Sequence, residues 1–304
     1  MDAHRASITA LITAYFRAYH ATHDSPRIFD DFLADRLFAA DEHMTYDQNL
    51  AGLLKLINPE RAAANPDQAT ALACVMQTYS GPITLSRSRY TEDRLAGLID
   101  RGVRQDVILG AGLDTVAFRR TDLLDRLHVF EVDHPATQAL KHQRLAALGR
   151  PYPSQLHFVP IDFLTQRLST VLHASAYDPQ ALTFFSWLGV TYYLSREAIF
   201  DTLCDVAALA PAGSSILFDY MDADAFIPER AARRIQLMQT IAGQVGEPMQ
   251  TGFDPSTLAA DLQQAGLRLE EDLGPAEIDA RYFRGRTDEY HAFEHAHFAR
   301  AVVA

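Results

Sequence analysis

The residues best able to do chemistry lie at three points where apolar runs end. Val107-Ile108-Leu109 leads into Gly110-Ala111-Gly112, Phe130-Glu131-Val132 into Asp133, and Val159-Pro160-Ile161 into Asp162-Phe163. Gly110 and Gly112 permit a tight turn and a close approach of backbone to ligand, at the carboxyl end of a strand, where open α/β sheets bind nucleotides. Asp133 stands 23 residues after Gly110, near the separation of roughly 20 residues at which a strand-end carboxylate accepts hydrogen bonds from both hydroxyls of a ribose. Asp162 can accept from an adenine amino group while Phe163 packs on the base. Together the three strand ends describe a nucleoside site. Singly, each admits a plainer role: a G-x-G is also an ordinary strand-to-helix turn, and Asp133 ahead of Pro135 is also a helix N-cap.

The third glycine position narrows the ligand. A dinucleotide fingerprint carries a later glycine, so that helix and strand pack closely while a pyrophosphate sits on the helix N-terminus. Here Thr115 and Val116 occupy that region. An acid beside the ribose argues against a 2′-phosphate, which leaves NAD or S-adenosylmethionine, and the missing glycine favours the second. Arg87 and Arg89, in SRSRYTED, offer a guanidinium for an amino-acid carboxylate, with a surface ion pair to Glu92 or Asp93 as the alternative.

No residue declares itself a general base. Asp219 and Tyr220, ending SSILFDYM, are catalytic candidates by position, with capping or structural roles as the alternative. Trp187 and Tyr193 suit either the wall of a transfer site or the core. His291, Glu294, His295 and His297 form the one histidine-rich cluster, with His291 and His295 placed to share a helix face. A third ligand is not evident, so no metal is expected.

These residues need a scaffold. The runs at 106–112, 128–133, 156–162, 182–189 and 214–221 are short and rich in Val, Ile, Leu and Phe, as strands buried on both faces are. Amphipathic stretches such as ATQALKHQRLAAL and REAIFDTLCDVAAL separate several of them. With 267–274 and 297–304 as further strands, the expectation is a Rossmann-like, doubly wound, mostly parallel seven-stranded sheet, its last strand pairing antiparallel at the edge. Residues 1–85 are expected as an N-terminal helical extension and 86–304 as the core, with a helical lid inserted at about 222–253. Ile8, Leu11, Ile12, Tyr15, Phe16 and Tyr19 follow the three-four spacing of one helix. A second is expected from Asp24-Ser25-Pro26 onward, with Ile28, Phe29, Phe32 and Leu33 on one side, and a third through Ala69 to Tyr79.

Bulk composition bounds the partners. The formal charge is −12, which opposes sequence-independent binding to nucleic acid. No apolar run reaches the roughly 18 residues of a membrane span, and the start carries no secretory-signal pattern, so a cytoplasmic location is expected. Cys74 and Cys204 are the two cysteines, both expected in the core and reduced.

The stretches Arg87-Ser88-Arg89-Tyr90, LGAGLDTVAFR, FEVDHPATQALK, VPIDF and FFSWLGVTYYL, in this order, strongly resemble the leucine carboxyl methyltransferase family over about residues 25–220, particularly its bacterial branch of polyketide-tailoring O-methyltransferases. The resemblance implies a class I fold using S-adenosylmethionine. It places Arg87 on the cofactor carboxylate, Gly110 and Gly112 along the methionine portion, Asp133 on the ribose, and Asp162 and Phe163 around the adenine; Ala111 and Trp187 join them as cofactor-binding candidates. It further implies transfer to a carboxyl or phenolic oxygen of a small molecule. One departure stands out: many members carry a glutamate where this chain has Leu188. Two rivals follow, an NAD-dependent oxidoreductase, whose hydride-site acid is not found, and a non-catalytic nucleoside-binding protein, suggested by Leu188.

Overall fold

The computed structural model describes residues 7–163 and 165–304. Its centre is a seven-stranded sheet in the order β3-β2-β1-β4-β5-β7-β6. The strands are β1 (Gln105–Leu109), β2 (His128–Asp133), β3 (Leu156–Pro160), β4 (Thr183–Trp187), β5 (Ser215–Met221), β6 (Leu267–Leu273) and β7 (Ala296–Val303). β1 pairs parallel with β2 and β4, β2 with β3, and β4 with β5. β7 runs antiparallel to both β5 and β6, so the antiparallel strand is interior and β6 takes the edge, contrary to the sequence expectation.

Side chains alternate between two packed layers. Val107, Leu109, Phe130, Val132, Phe185 and Trp187 point to one side, into a core shared with the helices Arg196–Leu209 and Leu258–Gln264. Ile108, Val129, Phe184 and Leu217 point to the other, against the helices of the N-terminal third. Burial on both faces is what makes these strands read as continuous apolar runs. The register aligns the functional ends: Leu109 lies opposite Val132, Asp133 opposite Pro160, and Ile108 opposite Ser186.

The helix expected from Asp24 does not form. His20, on the helix Ile8–His23, accepts the Ile28 N–H at its Nε2 (2.7 Å). Asp31 caps Ala34 N (3.1 Å) and also takes Arg17 and the Thr115 hydroxyl. These side chains satisfy the backbone in an irregular path that reaches only a 3-10 turn, Ala34–Leu37, as short polar side chains do when they compete with helical bonding. Ile28, Phe29 and Leu33 are buried, whereas Phe32 is 52% exposed. The third expected helix spans Gln68–Thr78. After it, one helix of 20 residues, Gly81–Asp100, runs across residues 85 and 86 and carries Arg87. Cys74 is buried but Cys204 is exposed, because Leu203 and Val206 take the inward face of their helix.

Beneath β2 lies a buried ion pair between Glu131 and Lys141. Burial pushes the Glu131 carboxyl up to about 7, with Lys141 pulling the other way. A carboxyl with a folded-state value above its ordinary 4.5 holds its proton more firmly in the native chain. Its contribution is therefore complete below pH 4.5 and is lost as the pH rises through about 7. Urea unfolding at several pH values should show stability falling across that window in the wild type and a flatter profile in Glu131→Gln. Identical slopes would exclude Glu131 as the source.

Candidate active site

A cavity of about 400 Å³ opens at the carboxyl ends of the central parallel strands, within the range of ligand-binding pockets. Its floor is the turn after β1. Gly110 has φ +71° and Gly112 φ +52°, the left-handed region that favours glycine. A Cβ on Gly110 would stand 2.5 Å from Val190 Cγ2, and one on Gly112 3.2 Å from Ala10 Cβ. The turn is thus held between the loop after β4 and the helix Ile8–His23: a larger residue at Gly110 would displace Val190, and one at either position would be strained by its positive φ.

Asp133, at the tip of β2, lies beside this turn. Its two oxygens accept the N–H groups of Gly112 and His134. Burial pushes its carboxyl up, and these two N–H groups oppose the shift. A carboxylate has about four acceptor positions, so two remain for ligand hydroxyls. Asp162 and Phe163, at the tip of β3, reach the same wall, as do Ala111 and Leu188.

Arg87 closes the other end. Its Nη1 donates to Asp219 Oδ2 (2.8 Å) and to the Tyr192 hydroxyl (3.0 Å). Asp219 Oδ1 accepts the Gly189 N–H (2.6 Å). Gly189 has φ +72°, and a Cβ there would lie 2.5 Å from Arg87 Nη2. Helix Gly81–Asp100, β5 and the loop after β4 are locked together at one guanidinium, which still lines the cavity. Arg89 instead lies on the surface, paired with Asp93 at 2.8 Å.

The structure brings Arg87, Gly110, Ala111, Gly112, Asp133, Asp162, Phe163 and Tyr193 into the lining of one cavity, and sends other candidates elsewhere. Trp187 is fully buried on the opposite side of its strand, backing Phe163 with ring centroids 6.5 Å apart; its neighbours Ser186 and Leu188 face the cavity instead. Tyr220 turns the same way as Trp187 and donates to Asp272 (2.8 Å). Asp219 has both oxygens occupied. Burial raises the Tyr193 hydroxyl well above its ordinary range, and the residue lines the cavity. His291 and His295 lie outside any helix; His295 bonds Asp222 and the Ala232 N–H. Among the described residues no group of three or more His, Cys, Asp or Glu is arranged to hold a metal ion.

Two sets of lining residues were not named from the sequence, although the second falls within the segment expected as a lid. Thr9, Ala10, Thr13 and Arg17, on the helix Ile8–His23, line the cavity, and so does Glu247, which accepts from the Thr9 hydroxyl (2.5 Å). The helix signal was present, since these residues repeat at three-four spacing beside the apolar stripe. Glu247 follows the helix Arg233–Gln244 and carries no pattern of its own.

Comparison with known proteins settles what this arrangement belongs to. A family model described as leucine carboxyl methyltransferase matches residues 10–207. The chain belongs to the leucine carboxyl methyltransferase family. Over 310 residues it is 39% identical to YktD of Bacillus subtilis (strain 168), with 99% of each chain covered. That relative carries the name of an S-adenosyl-L-methionine-dependent methyltransferase. A similarly named protein of Parafrankia sp. (strain EAN1pec) is 33% identical, covering 69% of this chain and 62% of the relative. Among solved structures, a DUF574 family protein from Streptomyces avermitilis MA-4680 superposes with TM-score 0.60 at 16% identity, covering 100% of this chain and 99% of that one; it shares the fold. The protein is an S-adenosylmethionine-dependent methyltransferase of the Rossmann-like class I fold, which sets aside the NAD-dependent rival. The residues present fit that donor: a turn with glycine at two of its three positions, a strand-end carboxylate with spare acceptor positions, and a guanidinium facing the same cavity.

Proposed function

We propose that this methyltransferase methylates a carboxyl or phenolic oxygen of a small molecule, a polyketide or other secondary metabolite among the candidates. The observation carrying this reading is the absence of a free base among the expected residues. Asp219 is bound on both oxygens, Tyr220 faces away, and Tyr193 is held protonated. A carboxylate is ionised already at neutral pH and needs no base, so within this reading the observation favours a carboxyl over a phenol, whose pKa of about 10 calls for one, and over an ammonium, which must first lose a proton.

Bound in the cavity, the donor supplies an electrophilic methyl group on a sulfonium. The chain's own residues bind and orient. Asp133 accepts from the ribose hydroxyls, Asp162 and Phe163 bracket the adenine, and Arg87 holds the amino-acid carboxylate. Gly110, Ala111 and Gly112 let the backbone lie close along the methionine portion. Tyr193 and Glu247 exclude water beside the place where the acceptor aligns, and alignment is the main demand of an in-line transfer. We read residues 1–85 as a helical extension of the core at 86–304 and the segment 222–253 as its lid; the cavity residues Gly246, Glu247, Pro248 and Gln250 support the lid. No helix among the described residues is long and apolar enough to cross a membrane.

The test is transfer of labelled methyl from S-adenosylmethionine to a panel of carboxylic acids, phenols, amines and thiols. Label released as methanol by mild alkali identifies a carboxyl ester, and stable label on a phenol identifies an ether. Transfer to nitrogen or sulfur alone would overturn the oxygen assignment.

A further inference from the structure

The cavity lining extends beyond the glycine turn to residues of β1 and of the helix Gly81–Asp100. Thr91, Leu95, Ile108 and Val116 belong to it, and so does Asp106. Asp106 and Ile108 share the face of β1 that looks toward that helix, so Asp106 sits four residues down the strand from Gly110. It is 3% exposed, and its Oδ1 is buried with no hydrogen-bond partner. Leaving a buried carboxyl oxygen unsatisfied is costly and uncommon in folded proteins.

Among the described residues the nearby cations already have acidic partners. Arg119 is taken by Glu92, Arg17 by Asp31 (2.9 Å) and Arg87 by Asp219 (2.8 Å), and the Lys141 ammonium is taken by Glu131. The titratable groups acting on Asp106 are Asp114 from the turn after β1, Glu92 from the helix Gly81–Asp100 and Glu131 from β2, all acids. An anion is repelled there. A group with several compact donors and a positive charge fits both the empty acceptor and the excess of acid.

We propose that Asp106 anchors a subsite for an aliphatic ammonium group, where β1 and the helix Gly81–Asp100 line the cavity. The inference rests on the proposed reading of the cavity as the donor and acceptor site. Two ligands offer that chemistry, the amino-acid end of the methyl donor and an acceptor bearing a primary amine. Burial and the neighbouring acids raise the Asp106 carboxyl well above its ordinary range. Seating an ammonium favours the ionised carboxylate, so binding releases a proton and strengthens as the pH rises.

Calorimetry on the full chain tests this with wild type, Asp106→Asn and Asp106→Val, the last in case the amide disturbs folding. The probes are S-adenosylhomocysteine, 5′-methylthioadenosine, which lacks the amino-acid end, and n-butylamine added to the methylthioadenosine complex. If the donor supplies the ammonium, the variants bind S-adenosylhomocysteine about tenfold or more weakly with methylthioadenosine unchanged, and proton release is lost. If an acceptor supplies it, S-adenosylhomocysteine binds all three proteins alike and butylamine binds only the wild type. Equal affinities for every probe would overturn the subsite. Failure of methylthioadenosine to bind the wild type would overturn the nucleoside reading and the subsite with it.

Discussion

Replacing Arg87 with methionine is expected to cost about 3–5 kcal/mol of folding stability, the scale of breaking a buried ion pair by removing one partner. Methionine keeps the apolar stem but leaves Asp219, 0% exposed, with only the Gly189 N–H. Urea unfolding measures the loss. The double variant Arg87→Met/Asp219→Asn should recover part of it, because a neutral amide is cheaper to bury and still accepts from Gly189. Cofactor affinity should not recover: both variants should bind S-adenosylhomocysteine roughly tenfold to a hundredfold more weakly, as expected for losing a charge-assisted hydrogen bond. Restored binding in the double variant would remove Arg87 from the cofactor site while leaving its structural role intact.

Asp133→Ala should weaken S-adenosylhomocysteine binding by about 2–3 kcal/mol, roughly 30- to 150-fold in Kd, the scale of hydrogen bonds to a charged group. Part of the loss would come through the turn, since the Gly112 N–H also loses its acceptor. Asp133→Asn separates the two contributions, because the amide oxygen can still receive one N–H. The raised value of the carboxyl adds a pH signature. As the pH falls, Asp133 is protonated earlier than an ordinary aspartate and loses acceptor capacity, so wild-type affinity should weaken on acidification while that of Asp133→Ala stays flatter. Unchanged affinity in the alanine variant would take Asp133 out of the site.

The strands were legible because burial on both faces compresses them into short apolar runs ending in glycine or acid. The same double burial hid side-chain direction. A strand buried on one face announces its inward residues by alternation, but in Phe184-Phe185-Ser186-Trp187 both faces are apolar, and Trp187 could not be told from Leu188 as the cavity residue. Pairing order was hidden for a related reason: an apolar run states that a strand is covered without naming its neighbour, so β7 read as an edge. Asp219 offered position alone, since its partner Arg87 lies 132 residues earlier in the chain. At residues 24–33 the apolar spacing was helical, and the hydrogen bonds from His20 and Asp31 prevailed over it.

The placement of β7 constrains how the molecule assembles. β6 emerges from the ribosome before β7, yet it touches the rest of the sheet only through β7. Until β7 arrives, β5 presents an open row of backbone donors and acceptors beside the nascent active site, and β6 has nothing to pair with. Such an unpaired margin is a template for intermolecular strand addition. Closure of the sheet is therefore an insertion, in which one segment must zip to two neighbours at once, and delayed arrival of that segment would expose the half-built enzyme to aggregation.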